Sequence, residues 1–175
     1  QLMDTRPDLE ITPVRGNLGT RLAKLDGGEF DALMLATAGL KRLGLADRIA
    51  FETEASEVLP ACGQGILGIE IREADSEMAS LLAPLVDAQA TVAARCERAL
   101  NRFLNGGCQV PIAAYAVCLG NELWLRALVG SADCTQVIRA EARGVVTDPE
   151  GLGLHVGQDL ERQGARAYLA ELGHG

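Results

Sequence analysis

Three consecutive runs of alternating apolar and polar residues limit how this chain can fold more than any other feature. They cover residues 112–119, 122–129 and 135–143. A period of two places every second side chain on the same face of a β-strand. The connections at residues 120–121 and 131–134 are short and rich in turn-forming residues, as in antiparallel hairpins. The runs therefore predict an antiparallel three-stranded meander.

Helical patterns flank the predicted sheet. Residues 88–104 repeat apolar side chains at helical spacing, on a face formed by Ala88, Val92, Cys96, Ala99, Leu100 and Phe103. Thr147-Asp148-Pro149 is a helix-start signal, and the helix that follows is expected to weaken or break at Gly164. Residues 88–175 are therefore predicted to form a small α+β domain, with a three-stranded antiparallel sheet covered by helices on one face.

The first part of the chain alternates between strand-like and helix-like segments. Residues 11–14 and 30–36 are strand-like, and the second run is nearly unbroken in apolar residues, as in a strand buried on both faces of a parallel sheet. Asn17 can cap a helix that ends at Asp26-Gly27-Gly28, and a second turn opens a short helix through Arg42. This β-α-β-α order predicts part of a parallel-sheet α/β domain over residues 1–59.

Residues 60–87 separate the two predicted domains. The segment 59–65 is dense in turn formers, and a strand-like run at 66–71 and a helix at 78–86 follow it. The segment is interpreted as a hinge between domains, with Gln64 as an uncharged hydrogen-bonding group. A plain surface loop explains residues 59–65 equally well.

Composition excludes several classes of function. The net charge is −8, which disfavours nucleic acid as a partner because phosphate binding needs a basic face. No run approaches the roughly 18 apolar residues of a membrane span. Five cysteines without a CxxC pair and only two histidines give no metal-ligand spacing and no even disulfide framework, so a reducing cytoplasm is expected. The protein is also expected to be a monomer. The start at Gln1, without an initiator Met, suggests a cut inside a longer protein.

Two turns combine small residues, free helix-start amides and arginine. The first contains Arg15, Gly16, Asn17 and Arg21, and the second places Ala38 and Gly39 before Arg42. Helix N-termini attract anions, and the planar guanidinium group binds carboxylates through two parallel hydrogen bonds. The turns are therefore candidate carboxylate or phosphate sites. Ordinary capping with solvated surface charge is the alternative.

Cys108 is the candidate reactive residue. It follows Gly106-Gly107 and precedes Gln109-Val110-Pro111, on a loop between the amphipathic helix and the meander. A thiol there could carry a covalently attached group, although a free cysteine is often an inert packing residue. A nucleophile pair of Cys108 with His155 stays open, without a third residue to orient it.

Five blocks of the sequence together resemble one known family. They are RGNLGTRL at 15–22, LDGGEFDA at 25–32, AGLKRLG at 38–44, LPACGQG at 59–65, and the stretch from Glu97-Arg98 to GGCQVP at 106–111. In order and separation they resemble porphobilinogen deaminase, also called hydroxymethylbilane synthase, and the resemblance runs the whole length of the chain.

The resemblance implies a tetrapyrrole-forming transferase that joins four porphobilinogen units head to tail with loss of ammonia. It places a thioether-linked dipyrromethane cofactor on Cys108 and assigns Arg15, Arg21 and Arg42 to the carboxylates of the substrate and of the growing polypyrrole chain. The cofactor-binding set that follows from it is Cys108, Arg15, Gly16, Asn17, Arg21, Ala36, Gly39 and Gln64.

The resemblance also implies a particular domain organisation. Residues 1–59 correspond to the back half of a second, periplasmic-binding-protein-like domain. Residues 60–87 correspond to a hinge and a segment returning to the first domain, and residues 88–175 to the third domain. The family's catalytic aspartate would lie upstream of Gln1, so these residues alone are expected to be inactive. A non-catalytic carboxylate-binding or anion-binding module and a thiol hydrolase using Cys108 and His155 are the alternatives.

Overall fold

The computed structural model describes residues 1–107, 110–133 and 135–170. Within these ranges the helices are α1 (Leu2–Thr5), α2 (Leu18–Asp26), α3 (Thr37–Arg42), α4 (Ser76–Leu82), α5 (Ala88–Phe103), α6 (Pro149–Arg162) and α7 (Ala165–Ala170), with 3-10 turns at Ala46–Arg48 and Ala83–Leu85. The strands are β1 (Ile112–Leu119), β2 (Glu122–Gly130) and β3 (Val137–Val145).

The predicted meander is confirmed as one antiparallel sheet in the order β1-β2-β3. Leu125 in the central strand pairs with Ala116 on one side and Ala142 on the other. The third strand begins two residues later than predicted, because Thr135 belongs to a hydrogen-bonded turn. There Asp133 Oδ1 accepts the Thr135 amide at 3.1 Å, and the Ser131 amide donates to the Gln136 carbonyl at 2.9 Å.

One face of the sheet is covered by α5 and α6, as the sequence predicted. Alternate residues of β2 are buried against these helices, and they pack with Cys96 and Leu100 of α5 and with three residues of α6, Leu152, Val156 and Leu160. The helices approach closely because Gly153 lacks a side chain. A Cβ there would lie 2.3 Å from the Cys96 carbonyl oxygen. This packing forms the core of residues 88–170.

Local capping sets the helix boundaries in this region. The Asp87 side chain accepts the Ala90 amide at the start of α5, and the Asp148 side chain accepts the Gly151 amide at the start of α6. The predicted break at Gly164 is confirmed: its φ of +101° separates α6 from α7. The helix predicted over 78–86 instead begins at Ser76 and changes to a 3-10 turn at Ala83, since Pro84 has no amide hydrogen.

The predicted parallel-sheet strands are wrong for this structure. Residues 11–14, 30–36 and 66–71 form no strand ladder, although α2 and α3 form between them as expected. A strand needs hydrogen-bonding neighbours, and these three segments do not pair with one another. Several of their apolar side chains are exposed as a result; Leu67 retains 82% of its accessible surface and Met34 54%. The structure does not show the periplasmic-binding-like part of the predicted fold.

None of the helices in the described ranges combines the length and the apolar character needed to cross a bilayer.

Candidate functional site

The turn before α2 holds three of the predicted site residues in one hydrogen-bonded unit. Gly16 has a φ of +117°, and a Cβ there would approach Thr20 Cγ2 to 3.0 Å. Asn17 Oδ1 accepts the Thr20 amide at 2.9 Å and the Thr20 hydroxyl at 3.0 Å. Arg21 Nε donates to the Gly16 carbonyl at 2.8 Å. The fold thus brings Gly16, Asn17 and Arg21 together beside Arg15.

This turn caps α2 and still leaves hydrogen-bond donors free to bind an anion. Asn17 is the N-cap that the sequence predicted, so it satisfies the Thr20 amide. The first amides of a helix have no intrahelical partners, so the backbone N–H groups of Leu18 and Gly19 point out of the N-terminus of α2. Arg21 uses only Nε in the turn, so both of its terminal nitrogens stay available for an anion.

Ion pairing divides the seven cations of residues 1–59 into two groups. Four have a carboxylate partner: Arg6 with Asp8 at 2.6 Å, Lys24 with Glu29 at 2.9 Å, Lys41 with Glu52 at 2.6 Å and Arg48 with Asp26 at 2.5 Å. Among the described residues, Arg15, Arg21 and Arg42 have none within 4.0 Å. The three unpaired cations are the three arginines that the family resemblance assigned to substrate carboxylates.

The second turn is simpler. Ala36 precedes α3 without a side-chain cap, its carbonyl accepts the Gly39 amide at 3.0 Å, and Arg42 is exposed at the end of this short helix. The space around a Cβ at Gly39 is open. No hydrogen bond or ion pair in the described ranges joins Ala36, Gly39 or Arg42 to the first turn.

The 59–65 segment is anchored to the C-terminal domain. The Ala114 amide donates to the Pro60 carbonyl at 3.0 Å, and Ala61 forms a β-bridge with Ala113. Gly63 and Gly65 have φ values of +74° and +83°, which glycine adopts without strain. The Gln64 side chain is exposed and makes no hydrogen bond to the described residues. The segment is therefore more than a plain surface loop.

Glu97 is the residue in this region that sequence reasoning missed. It is 4% exposed, and its two oxygens accept the Gly63 amide at 2.7 Å and the Ala116 amide at 2.8 Å. One carboxylate thus joins α5 to the hinge segment and to β1. The available signal was its position between Cys96 and Leu100 on the apolar face of α5, where an acid needs partners.

Burial raises the pKa of Glu97, while its two backbone hydrogen bonds act in the opposite direction. The folded protein therefore holds the proton more tightly than the unfolded chain. We expect Glu97 to make the free energy of unfolding fall as pH rises from its ordinary pKa near 4.5 through the raised folded value.

Glu97→Gln tests this role. The amide nitrogen must face either the Gly63 or the Ala116 amide, which leaves one buried donor unpaired at a cost of about 1–3 kcal/mol. Urea denaturation should show that loss at neutral pH, with a weaker pH dependence above pH 4.5 than in the unsubstituted chain. Glu77→Gln, on the exposed face of α4, is the matched control. Equal stability of the Glu97 and Glu77 variants would contradict the assignment.

Comparison with protein-family models identifies both halves of the chain. Residues 1–80 match the model described as porphobilinogen deaminase, dipyrromethane cofactor binding domain. Residues 91–162 match the model described as porphobilinogen deaminase, C-terminal domain. Together the two matches cover most of the 175 residues. This chain belongs to the porphobilinogen deaminase family. The resemblance inferred from the sequence blocks is thereby confirmed.

Membership of the porphobilinogen deaminase family implies a transferase of tetrapyrrole biosynthesis. The match to the cofactor-binding domain covers the two arginine turns and Gln64, and the match to the C-terminal domain covers Glu97 and Cys108. The family matches do not test which individual residues bind the cofactor, so the residue assignments stay predictions.

The cysteines differ in their surroundings. Cys108 and Cys134 lie outside the described residues. Burial raises the pKa of Cys62 and of Cys96 to about 12, with the negative charge of Glu97 adding to the effect. Both thiols are therefore protonated at neutral pH and are poor nucleophiles. Cys118 is half-buried in β1, with Sγ 3.8 Å from the Gln89 carbonyl oxygen.

His155 is exposed on α6, 3.8 Å from Asp159. The predicted pair with Cys108 involves a residue outside the described ranges and stays untested. In the described part of the chain, no group of three or more His, Cys, Asp or Glu side chains is arranged to hold a metal ion.

The concavities that we located do not contain the predicted arginines. A volume of about 890 Å³ lies between residues 65–71, the α4 region and α5, with Arg95, Arg98 and Arg102 along one side. A smaller one of about 240 Å³ lies beside Pro111 and Gly130. Arg15, Arg21 and Arg42 line neither of them; Arg15 and Arg42 are exposed and Arg21 is half-buried.

Proposed function

We propose that this chain carries the cofactor and substrate carboxylate sites of a hydroxymethylbilane synthase. The enzyme joins four porphobilinogen units head to tail in the cytoplasm and primes the chain on a dipyrromethane attached to Cys108. In each coupling the aminomethyl C–N bond breaks with loss of ammonia, and a C–C bond forms to the preceding pyrrole, which loses a proton. The family assignment supports a transferase of tetrapyrrole biosynthesis, and the proposal adds the coupling reaction and the role of Cys108.

The unpaired arginines carry the proposal. Each porphobilinogen ring has two carboxylates, so the growing chain is a polyanion and needs cations that internal acids do not already neutralise. Arg15, Arg21 and Arg42 are such cations among the described residues, whereas Arg6, Lys24, Lys41 and Arg48 are not. Guanidinium forks bind carboxylates with two parallel hydrogen bonds. The described residues therefore fit a cofactor and product rich in carboxylates.

Cys108 suits attachment better than turnover. It follows the C-terminal end of α5, where the helix dipole gives no help toward the thiolate. A tether forms only once: the Cys108 sulfur bonds to a methylene carbon activated by loss of ammonia, and the thiol proton is released. The raised pKa values of Cys62 and Cys96 make these two thiols poor competitors.

The decisive experiment is an intact mass of the full-length protein followed by peptide mapping. We expect the mass of two pyrrole rings on the peptide that contains Cys108. An adduct on another cysteine would overturn the residue assignment. An unmodified protein would favour the alternative of a non-catalytic carboxylate-binding module, for which the geometry of the first turn suffices without any cysteine.

The 175-residue chain by itself is expected not to consume porphobilinogen. Loss of ammonia needs a carboxylate that stabilises developing positive charge, and no acid in these residues falls in a block that matches this role. Porphobilinogen disappearance can be followed with Ehrlich's reagent, using chain purified free of host enzyme. Consumption that is lost in Cys108→Ser would contradict this expectation and would place the acid within these residues.

A further inference from the structure

One side chain fixes the end of the loop that precedes Cys108. Asn101, in the last turn of α5, donates from Nδ2 to the Gly106 carbonyl at 2.9 Å, and the Gly106 amide donates back to the Asn101 carbonyl at 2.8 Å. Among the described residues, this is the only side-chain hydrogen bond to the backbone of residues 104–107 and 110–111. Asn101 and Gly106 are therefore joined twice.

The packing around Gly106 shows how closely the loop is held. A Cβ at Gly106 would lie 2.1 Å from Asn101 Oδ1 and 2.8 Å from Ile112 Cδ1. Ile112 is itself buried at the start of β1. Gly106 is thus enclosed between the end of α5 and the first strand of the sheet, and any other residue there must displace one of them.

The far end of the loop is held by backbone contacts. The Gly130 amide donates to the Pro111 carbonyl at 2.9 Å, and Val110 is buried. The Val110 amide donates to the Gly107 carbonyl at 3.2 Å. The sheet therefore holds Val110 and Pro111, while on the other side of Cys108 the Asn101 side chain adds its hydrogen bond to Gly106.

We propose that Asn101 is a positioning residue for the attachment thiol. The inference rests on the proposed function, in which Cys108 carries the cofactor. Cys108 follows Gly106 by two residues, a span of at most about 7 Å of chain. A fixed Gly106 restricts the region in which the thiol meets the activated methylene carbon, and losing the side-chain hydrogen bond to Gly106 slows attachment.

Asn101→Asp tests the proposal with almost no change of shape, because an oxygen replaces the nitrogen that donates to Gly106. Attachment in the full-length apoprotein supplied with porphobilinogen should slow about fivefold, which is about 1 kcal/mol at 1.4 kcal/mol per tenfold change. Intact mass over time measures it. Asn121→Asp, in the exposed β1–β2 turn without a side-chain hydrogen bond, should load at the unsubstituted rate.

Thiol alkylation separates positioning from general loss of structure. In Asn101→Asp, iodoacetamide should modify Cys108 at least as fast as before, while buried Cys96 stays protected. Gly106→Ala should slow attachment further, because a Cβ there meets both Asn101 Oδ1 and Ile112 Cδ1.

The outcomes separate the two hypotheses. An unchanged attachment rate in Asn101→Asp overturns the positioning role but not the proposed function. Slower attachment does the same if alkylation of Cys96 increases as much as alkylation of Cys108. Absence of any adduct on Cys108 in the unsubstituted protein overturns the proposed function, and this inference with it.

Discussion

A Cys108→Ser variant of the full-length protein is expected to carry no covalent dipyrromethane and to lose nearly all turnover. A hydroxyl group is a much weaker nucleophile than a thiol at neutral pH, so an ether to the same methylene carbon forms far more slowly. Burial holds the pKa of Cys62 and Cys96 near 12, so neither is expected to replace Cys108. Acid denaturation followed by Ehrlich's reagent measures the bound pyrroles, and intact mass confirms the result.

Cys62→Ser is the matched control for this prediction. Cys62 lies in the 59–65 segment and packs against the edge of the core without a hydrogen bond from its thiol to the described residues. The variant should keep its pigment and turnover. A Cys108→Ser protein that gives the colour yield of the unsubstituted enzyme would remove Cys108 from the cofactor site.

Arg15→Leu and Arg21→Leu are expected to reduce cofactor assembly or early chain elongation much more than they reduce folding stability. A hydrogen bond to a charged group contributes about 1.5–3 kcal/mol, so kcat/KM should fall about 10- to 100-fold for each substitution. Neither side chain forms an ion pair among the described residues, and Arg21→Leu removes only the Nε hydrogen bond to Gly16, so the free energy of unfolding should change less than kcat/KM does. Steady-state kinetics and thermal melting of the same preparations measure the two effects.

The structure supplies controls for the charge and for the turn. Arg6→Leu removes an exposed arginine that is already paired with Asp8, and should leave kcat/KM nearly unchanged. Arg21→Lys keeps the charge but loses the Nε hydrogen bond to Gly16 and the planar fork, so it should recover only part of the loss. Unchanged turnover in both leucine variants, with unchanged melting temperature, would exclude these arginines from the site.

Features that depend on neighbouring residues could be predicted from the sequence. The meander, the Asn17 cap, the start of α6 at Pro149 and the break at Gly164 all follow from side-chain periodicity or from local backbone conformation. The family blocks are equally local, because each is a short run of residues at a fixed separation. The same is true of Arg15 and Arg21, whose proximity to the start of α2 is a matter of sequence spacing.

Features that depend on partners distant in the chain could not be predicted from the sequence. Residues 30–36 have the composition of a buried parallel strand, yet a strand exists only where another strand accepts and donates its hydrogen bonds, and none does so here. Composition alone could not show whether this segment has such a neighbour.

What the sequence determined by itself was the family, the helices and the three-stranded sheet, because local patterns encode all of them. Only the tertiary structure decided which partners the charged side chains have. Arg48 pairs with Asp26, 22 residues away, and Glu97 accepts the Gly63 amide, 34 residues away. Glu97 shows the difference most clearly. On the sequence it is one acid in a helix, and in the fold it is a buried carboxylate that joins the hinge segment to the sheet through two backbone amides. The reason is physical: hydrogen bonding and desolvation depend on distances in space, which residue spacing along the chain does not set.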